Sequence, residues 1–170
     1  MSDFYTVKRI PGKGLGCFAV KNIKKGISVL QEKPQCKASE ASNGFADADF
    51  RRSVLTSYLE MSESDRREYL NLYNRFEDTE MLSDEQKKET SLIEEHFKTK
   101  SDLDPAIVAE FLKALNIYRT NSFEKGVGIL VSRFNHACCS NAEAIWNEEA
   151  QVRHIRTTSN IKAGEEITIR

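Results

Sequence analysis

Two asparagines, a histidine and an adjacent pair of cysteines crowd into Asn135-His136-Ala137-Cys138-Cys139-Ser140-Asn141. Side-chain amides pair a donor with an acceptor, an imidazole can act as base or ligand, and thiols bind soft metals. Two chemistries follow: recognition of a polar small molecule, or zinc coordination by His136, Cys138 and Cys139. A tetrahedral site needs four ligands placed by two separate spacings, and no Cys-x2-Cys or His-x3-His partner exists here. Adjacent cysteines in a strand would also face opposite sides. No metal is expected, and Cys138 and Cys139 are expected to be buried free thiols.

Other segments carry weaker signals. Gly12-Lys13-Gly14-Leu15-Gly16 could bring backbone close to a ligand and adopt positive φ angles. It has neither the Lys-Ser/Thr ending of a phosphate-binding loop nor the spacing of a dinucleotide fingerprint, so by itself it also reads as a plain β-turn. Asn121, in Asn121-Ser122-Phe123, is by type a helix cap or turn residue. Gly164-Glu165-Glu166-Ile167-Thr168-Ile169 is an acidic turn entering a last strand. His96, after Ile93 on a helical run, and His154, in a strand-like run, read as packing residues rather than bases. No serine–histidine–acid order suggests a hydrolase, and no carboxylate pair is placed for glycosidase work.

The elements that must position these residues fall into three blocks. Residues 4–10, 15–20 and 27–31 are β-branched and aromatic runs separated by glycine turns and stopped by Pro34, which predicts antiparallel strands. From about residue 47 to 118 apolar residues recur at helical spacing. Ser62 precedes one helix, and Ser83 with Gln86 forms a capping box for another ending near Phe97. Asp104-Pro105 opens a helix with Ile107, Val108, Phe111, Leu112 and Leu115 as its apolar stripe. After Asn121, residues 126–131 read as a buried strand, 141–146 and 151–156 as a hairpin, and 166–169 as the last strand. The organisation is one domain, 1–170: an N-terminal β part (1–35), a helical insertion (36–118) and a C-terminal β part (119–170).

The 170 residues suffice for one ordinary core; 39% are hydrophobic and 30% charged, and the formal net charge is −1. That charge argues against a general grip on nucleic acid or anionic lipid, so direct nucleic-acid binding is not expected. Lys21, Lys24 and Lys25 form too short a basic run to change this. No window approaches the ~18 apolar residues that cross a bilayer, and the N-terminus lacks the apolar core of a signal peptide. Four cysteines without paired spacing fit free thiols in a reducing compartment, nucleus or cytoplasm.

Asn135, His136, Cys138 and Asn141 stand in register with the Asn-His-Ser-Cys-x-Pro-Asn pattern of SET domains, with Ala137 and Ser140 in place of Ser and Pro. Residues 161–169 resemble that family's Ile-x-x-Gly-Glu-Glu-Ile-Thr ending. Arg133, Phe134, Ala142 and Trp146 also fit, and Asn121-Ser122-Phe123 is similar to a segment of the MYND-linked branch. The chain thus resembles fungal-type SET protein-lysine methyltransferases related to that branch but without its zinc finger. The resemblance covers residues 4–35 and 117–170, with the helical block as the family's variable insertion.

It implies an α+β class, a β-rich SET fold of short antiparallel strands with a knot-like C-terminal crossing and a helical insertion. It implies S-adenosyl-L-methionine as cofactor, with Gly12, Lys13 and Gly14 at its methionine end, Asn135 and His136 at its adenosine end, and Asn121 touching it. The implied partner is a protein substrate offering a lysine side chain. The family's catalytic tyrosine falls one position after Arg170, so no catalytic residue is assigned, and a fragment of a longer enzyme is one reading. The reading from another class is a catalytically inactive SET-like module that binds a partner protein.

Overall fold

The computed structural model describes residues 2–39, 45, 47–78, 80, 82–100 and 104–170, the side chains of 89 and 96–100 excepted. The side chain of His96 therefore lies outside the described residues. The chain divides into two compact units, Met1–Pro34 with Gly128–Arg170, and Gln35–Val127.

The first unit is built from β1 (Tyr5–Ile10), β2 (Gly14–Ala19), β3 (Ser28–Glu32), β4 (Ala142–Asn147), β5 (Val152–Thr157) and β6 (Glu166–Ile167). They form two three-stranded sheets, ordered β1-β2-β6 and β3-β5-β4. All the strand pairs are antiparallel. Gly12 and Gly14 turn β1 into β2 with φ of 74° and 81°, a region that costs other residues energy. That turn sets Tyr5 opposite Ala19 and Val7 opposite Cys17. β4 and β5 form the expected hairpin, with Ala142 opposite Thr157. Cys17, Ile23, Ile155, Ile161, Ile167 and Ile169 are buried in this unit.

Among the described residues the second unit holds four α-helices: α1 (Ala48–Leu59), α2 (Glu63–Leu70), α3 (Asp84–Lys100) and α4 (Pro105–Asn121). Their starts follow the capping chemistry legible in the sequence. Asp47 accepts from the amides of Asp49 and Phe50, and Ser62 from that of Asp65. The Ser83–Gln86 box closes both ways, with bonds of 3.1 and 3.2 Å. Asp104 caps α4 through Ala106 at 2.7 Å, with Pro105 at the first helical position. α4 packs against α1, α2 and α3, burying Val108, Leu115 and Tyr118, while Ile107 of the expected stripe is 43% exposed. Tyr69 anchors the packing by donating to the Ala114 carbonyl at 3.0 Å.

One expected strand is absent. Residues 126–131 carry buried Val127, Ile129 and Val131, but they form isolated bridges and then a 3-10 turn over Val131–Arg133. In the second unit Val127 bridges Cys36, and its carbonyl also accepts from the Gln35 amide at 2.9 Å. In the first, the Glu32 carboxylate takes the amides of Leu130 and Val131 at 2.9 and 2.8 Å, which starts the turn and ends any ladder.

Candidate functional site

The Asn135–His136 segment leaves the Val131–Arg133 turn, and that turn is anchored from both ends. At its start stands the buried Glu32 carboxylate from the end of β3, accepting two backbone amides. A carboxylate there also complements the amides left open at a helical N-terminus. Gly128 lies so close that an added Cβ would run into the Glu32 side chain. At the exit, Phe134 is buried edge-on against Tyr5, ring centres 5.0 Å apart. The Cys17 thiol donates to the Arg133 carbonyl at 3.5 Å. Burial pushes that thiol up to about 12, with Arg133 pulling the other way and Glu166 adding to the rise.

Asn135 is then held by its side chain. Its Nδ2 donates to the Leu15 carbonyl at 3.0 Å and to Glu166 Oε1 at 2.7 Å. Both hydrogens of the amide are thereby committed inward, and Oδ1 is the group left for a ligand. Through Leu15, the start of β2 beside the Gly12–Lys13–Gly14 turn meets the Asn135 segment. Gly12, Lys13 and Gly14 are themselves exposed, and Lys13 closes the turn by donating its amide to the Ile10 carbonyl at 3.1 Å.

Asn135, His136 and Ala137 also run parallel to the C-terminal segment. Ile169 donates to the Asn135 carbonyl and accepts from the Ala137 amide, both at 2.9 Å. In a parallel pairing of this kind the bridging residue's own amide and carbonyl face the other way, so those of His136 point off Ile169. Asn141 clamps the same segment: Nδ2 donates to the Glu166 carbonyl at 2.8 Å, and Oδ1 accepts from the Thr168 amide at 2.9 Å. Ala142 adds a bond to the Thr168 carbonyl at 3.0 Å. A strand passing between the motif's two asparagines is the crossing that the sequence reading anticipates.

One expectation meets a different outcome. Cys138 and Cys139 are free thiols but exposed, not buried. They occupy a turn, not a strand, so the strand-alternation argument does not govern them, and the turn directs both outward. Cys138 Sγ lies 3.8 Å from Nε2 of the exposed His136. Among the described residues no group of three or more His, Cys, Asp and Glu could hold a metal ion. Asn121 belongs to the second unit, where it ends α4 with Nδ2 donating to the carbonyls of Tyr73 and Ile117, each at 2.8 Å.

The sequence reading missed Gly16, Glu32 and Glu166 as parts of this site. Glu32 left one trace, a charged residue at the end of a strand; the β-bulge between Ser28 and Leu30 hid its inward phase.

Comparison with protein families matches residues 14–170 to the SET domain. The chain belongs to the SET domain family. This SET domain is 26% identical over 166 residues to the histone-lysine N-methyltransferase set5 of Schizosaccharomyces pombe (strain 972 / ATCC 24843), covering 98% of the chain and 41% of that relative. Its fold is similar to the SET domain of LSMT bound to lysine and AdoHcy, with TM-score 0.62, 19% identity, and 98% and 48% of the two chains covered. It is also similar to Rubisco LSMT bound to AdoMet, with TM-score 0.59, 19% identity, and 98% and 47% covered. The chain spans less than half the length of each of these relatives.

Proposed function

We propose that this SET domain is the cofactor-binding part of an S-adenosylmethionine-dependent protein-lysine N-methyltransferase. The observation that carries the reading is the seating of Asn135 and His136, fixed on one side by Leu15 and Glu166 and on the other by Ile169. The kinship to a histone-lysine methyltransferase and to LSMT supports it. Lysine in a protein is the substrate class, and the net charge of −1 favours protein over nucleic acid as partner. A reducing compartment, nucleus or cytoplasm, goes with the four free cysteines.

The residues present fit S-adenosylmethionine. A Cβ built on Gly12 or Gly14 meets nothing within 4 Å, so the turn offers open backbone. Asn135 keeps an acceptor, and His136 keeps a backbone donor and acceptor turned off Ile169, groups suited to the polar edge of a nucleoside. Gly12, Lys13, Gly14, Asn135 and His136 would hold the cofactor. When bound, S-adenosylmethionine supplies a methyl carbon activated by a positive sulfonium. A lysine amine has a pKa of ~10.4, so about one in a thousand is neutral near physiological pH. The protein's task is therefore to hold the amine unprotonated and in line, work done by exclusion of water and by positioning.

The test is calorimetry with S-adenosylhomocysteine, followed by transfer of a labelled methyl group to mixed cellular proteins. Binding reduced by Asn135→Ala is the expected result, with lysine labelling expected from a chain that includes the family's tyrosine. No heat and no thermal shift at millimolar ligand would defeat the reading. Binding without labelling, even from a chain that includes that tyrosine, would favour the catalytically inactive module that docks a partner.

A further inference from the structure

We propose that Glu166 is a positioning residue that sets which face of the Asn135 amide the ligand meets, with Gly16 as the space that lets it do so. This rests on the cofactor reading above and extends it to a residue outside the Asn-His motif.

A side-chain amide has two nearly isosteric orientations, and only its neighbours choose between them. Around Asn135 the neighbours are the Leu15 carbonyl at 3.0 Å and the Glu166 carboxylate at 2.7 Å, the first an acceptor and the second an acceptor when ionised. Turned over, the amide would set its oxygen against two other oxygens and lose both bonds, one of them charge-assisted. Asn135 is thus locked with Nδ2 inward. The site offers a ligand an acceptor at this position and never a donor.

Glu166 can impose this because it is itself fixed. Its backbone pairs with Phe18 in the β2–β6 ladder, and its carbonyl is held by Asn141 Nδ2 at 2.8 Å. The room comes from buried Gly16. A Cβ there would stand 2.7 Å from Glu166 Oε1, 2.9 Å from Asn135 Nδ2 and 2.6 Å from Ile10 Cδ1. All three are distances that packed carbons do not tolerate. β2, β6 and the Asn135 segment therefore converge on one residue without a side chain.

The experiment is a double-mutant cycle on S-adenosylhomocysteine affinity, read beside the thermal midpoint without ligand. Glu166→Leu should weaken binding about tenfold in the wild-type background, the worth of one hydrogen bond to a charged group. Made on top of Asn135→Ala it should weaken binding no further, because the amide it orients is gone. Glu166→Gln keeps an uncharged acceptor of the same shape and should lose less affinity than Glu166→Leu. Equal losses from Glu166→Leu in both backgrounds would make Glu166 a merely structural residue and overturn the proposal.

A second readout needs no cofactor. In NMR of the unliganded protein, the two Asn135 side-chain amide hydrogens should exchange slowly with water, and Glu166→Leu should release one of them. Fast exchange of both in the wild type would also overturn the proposal. Slow exchange in a protein that does not bind S-adenosylhomocysteine would uphold the Glu166 lock while defeating the cofactor reading.

Discussion

The sequence offered Asn135 as a candidate ligand-binding amide, but not which of its two ends would face a ligand. That choice belongs to Leu15 and Glu166, more than a hundred residues before it and about thirty after it in the chain. Asn135→Ala should cut cofactor affinity by ~1–3 kcal/mol, the worth of one buried amide partner, measured by calorimetry. The thiols make a second residue-scale case. Cys138 and Cys139 should react with a disulfide reagent in the native protein, and Cys17 and Cys36 only once it unfolds. Prompt reaction of all four would contradict that partition. Burial raises Cys17 from 9.0 to about 12 and Cys36 from 9.0 to about 11. Folded thiols thus keep their protons above the pH at which unfolded ones lose them. Their stabilisation is whole below pH 9 and drains as pH climbs toward 11 and 12. The urea midpoint should fall across that window, and more gently in a Cys17→Ala, Cys36→Ala variant.

Helix starts were readable because capping is local: Ser83 finds Gln86 three residues on, and Asp104 finds Ala106 two residues on. Asp104→Ala should cost ~1 kcal/mol in urea denaturation. The stretch after Asn121 was misread as a strand because the deciding group, the Glu32 carboxylate, sits about a hundred residues earlier. Apolar spacing at Val127, Ile129 and Val131 told that these residues are buried, but not that their amides would be taken by a side chain. Glu32→Ala strands one buried and one part-buried amide and should cost ~2 kcal/mol, more than the exposed Asp104 cap. Equal costs for the two substitutions in urea would refute that ranking.

At the scale of the whole molecule, the SET family was legible from three short segments, while the geometry joining them was not. The first unit is assembled from both ends of the described chain, with β2 pairing β6 and the His136 segment pairing Ile169. No periodicity in the sequence reports a pairing across such separations. Ending the chain at Glu165 would remove buried Ile167 and Ile169 and every bond that Asn135, Ala137 and Asn141 make to that segment. Such a protein should fail to bind S-adenosylhomocysteine and melt at lower temperature. Retained affinity in a titration would show that the motif seats itself unaided.

The two-way clamp of Asn141 on Glu166 and Thr168 has a consequence for biosynthesis. Residues 166–169 leave the ribosome after every group they hold, so a nascent chain can carry the whole Asn135-to-Asn141 motif and still have no rail for it to lie on. The motif gains its rail only when residues 166–169 emerge behind it. Under the proposed function, nascent chains not yet extended to residue 169 should fail to bind the cofactor.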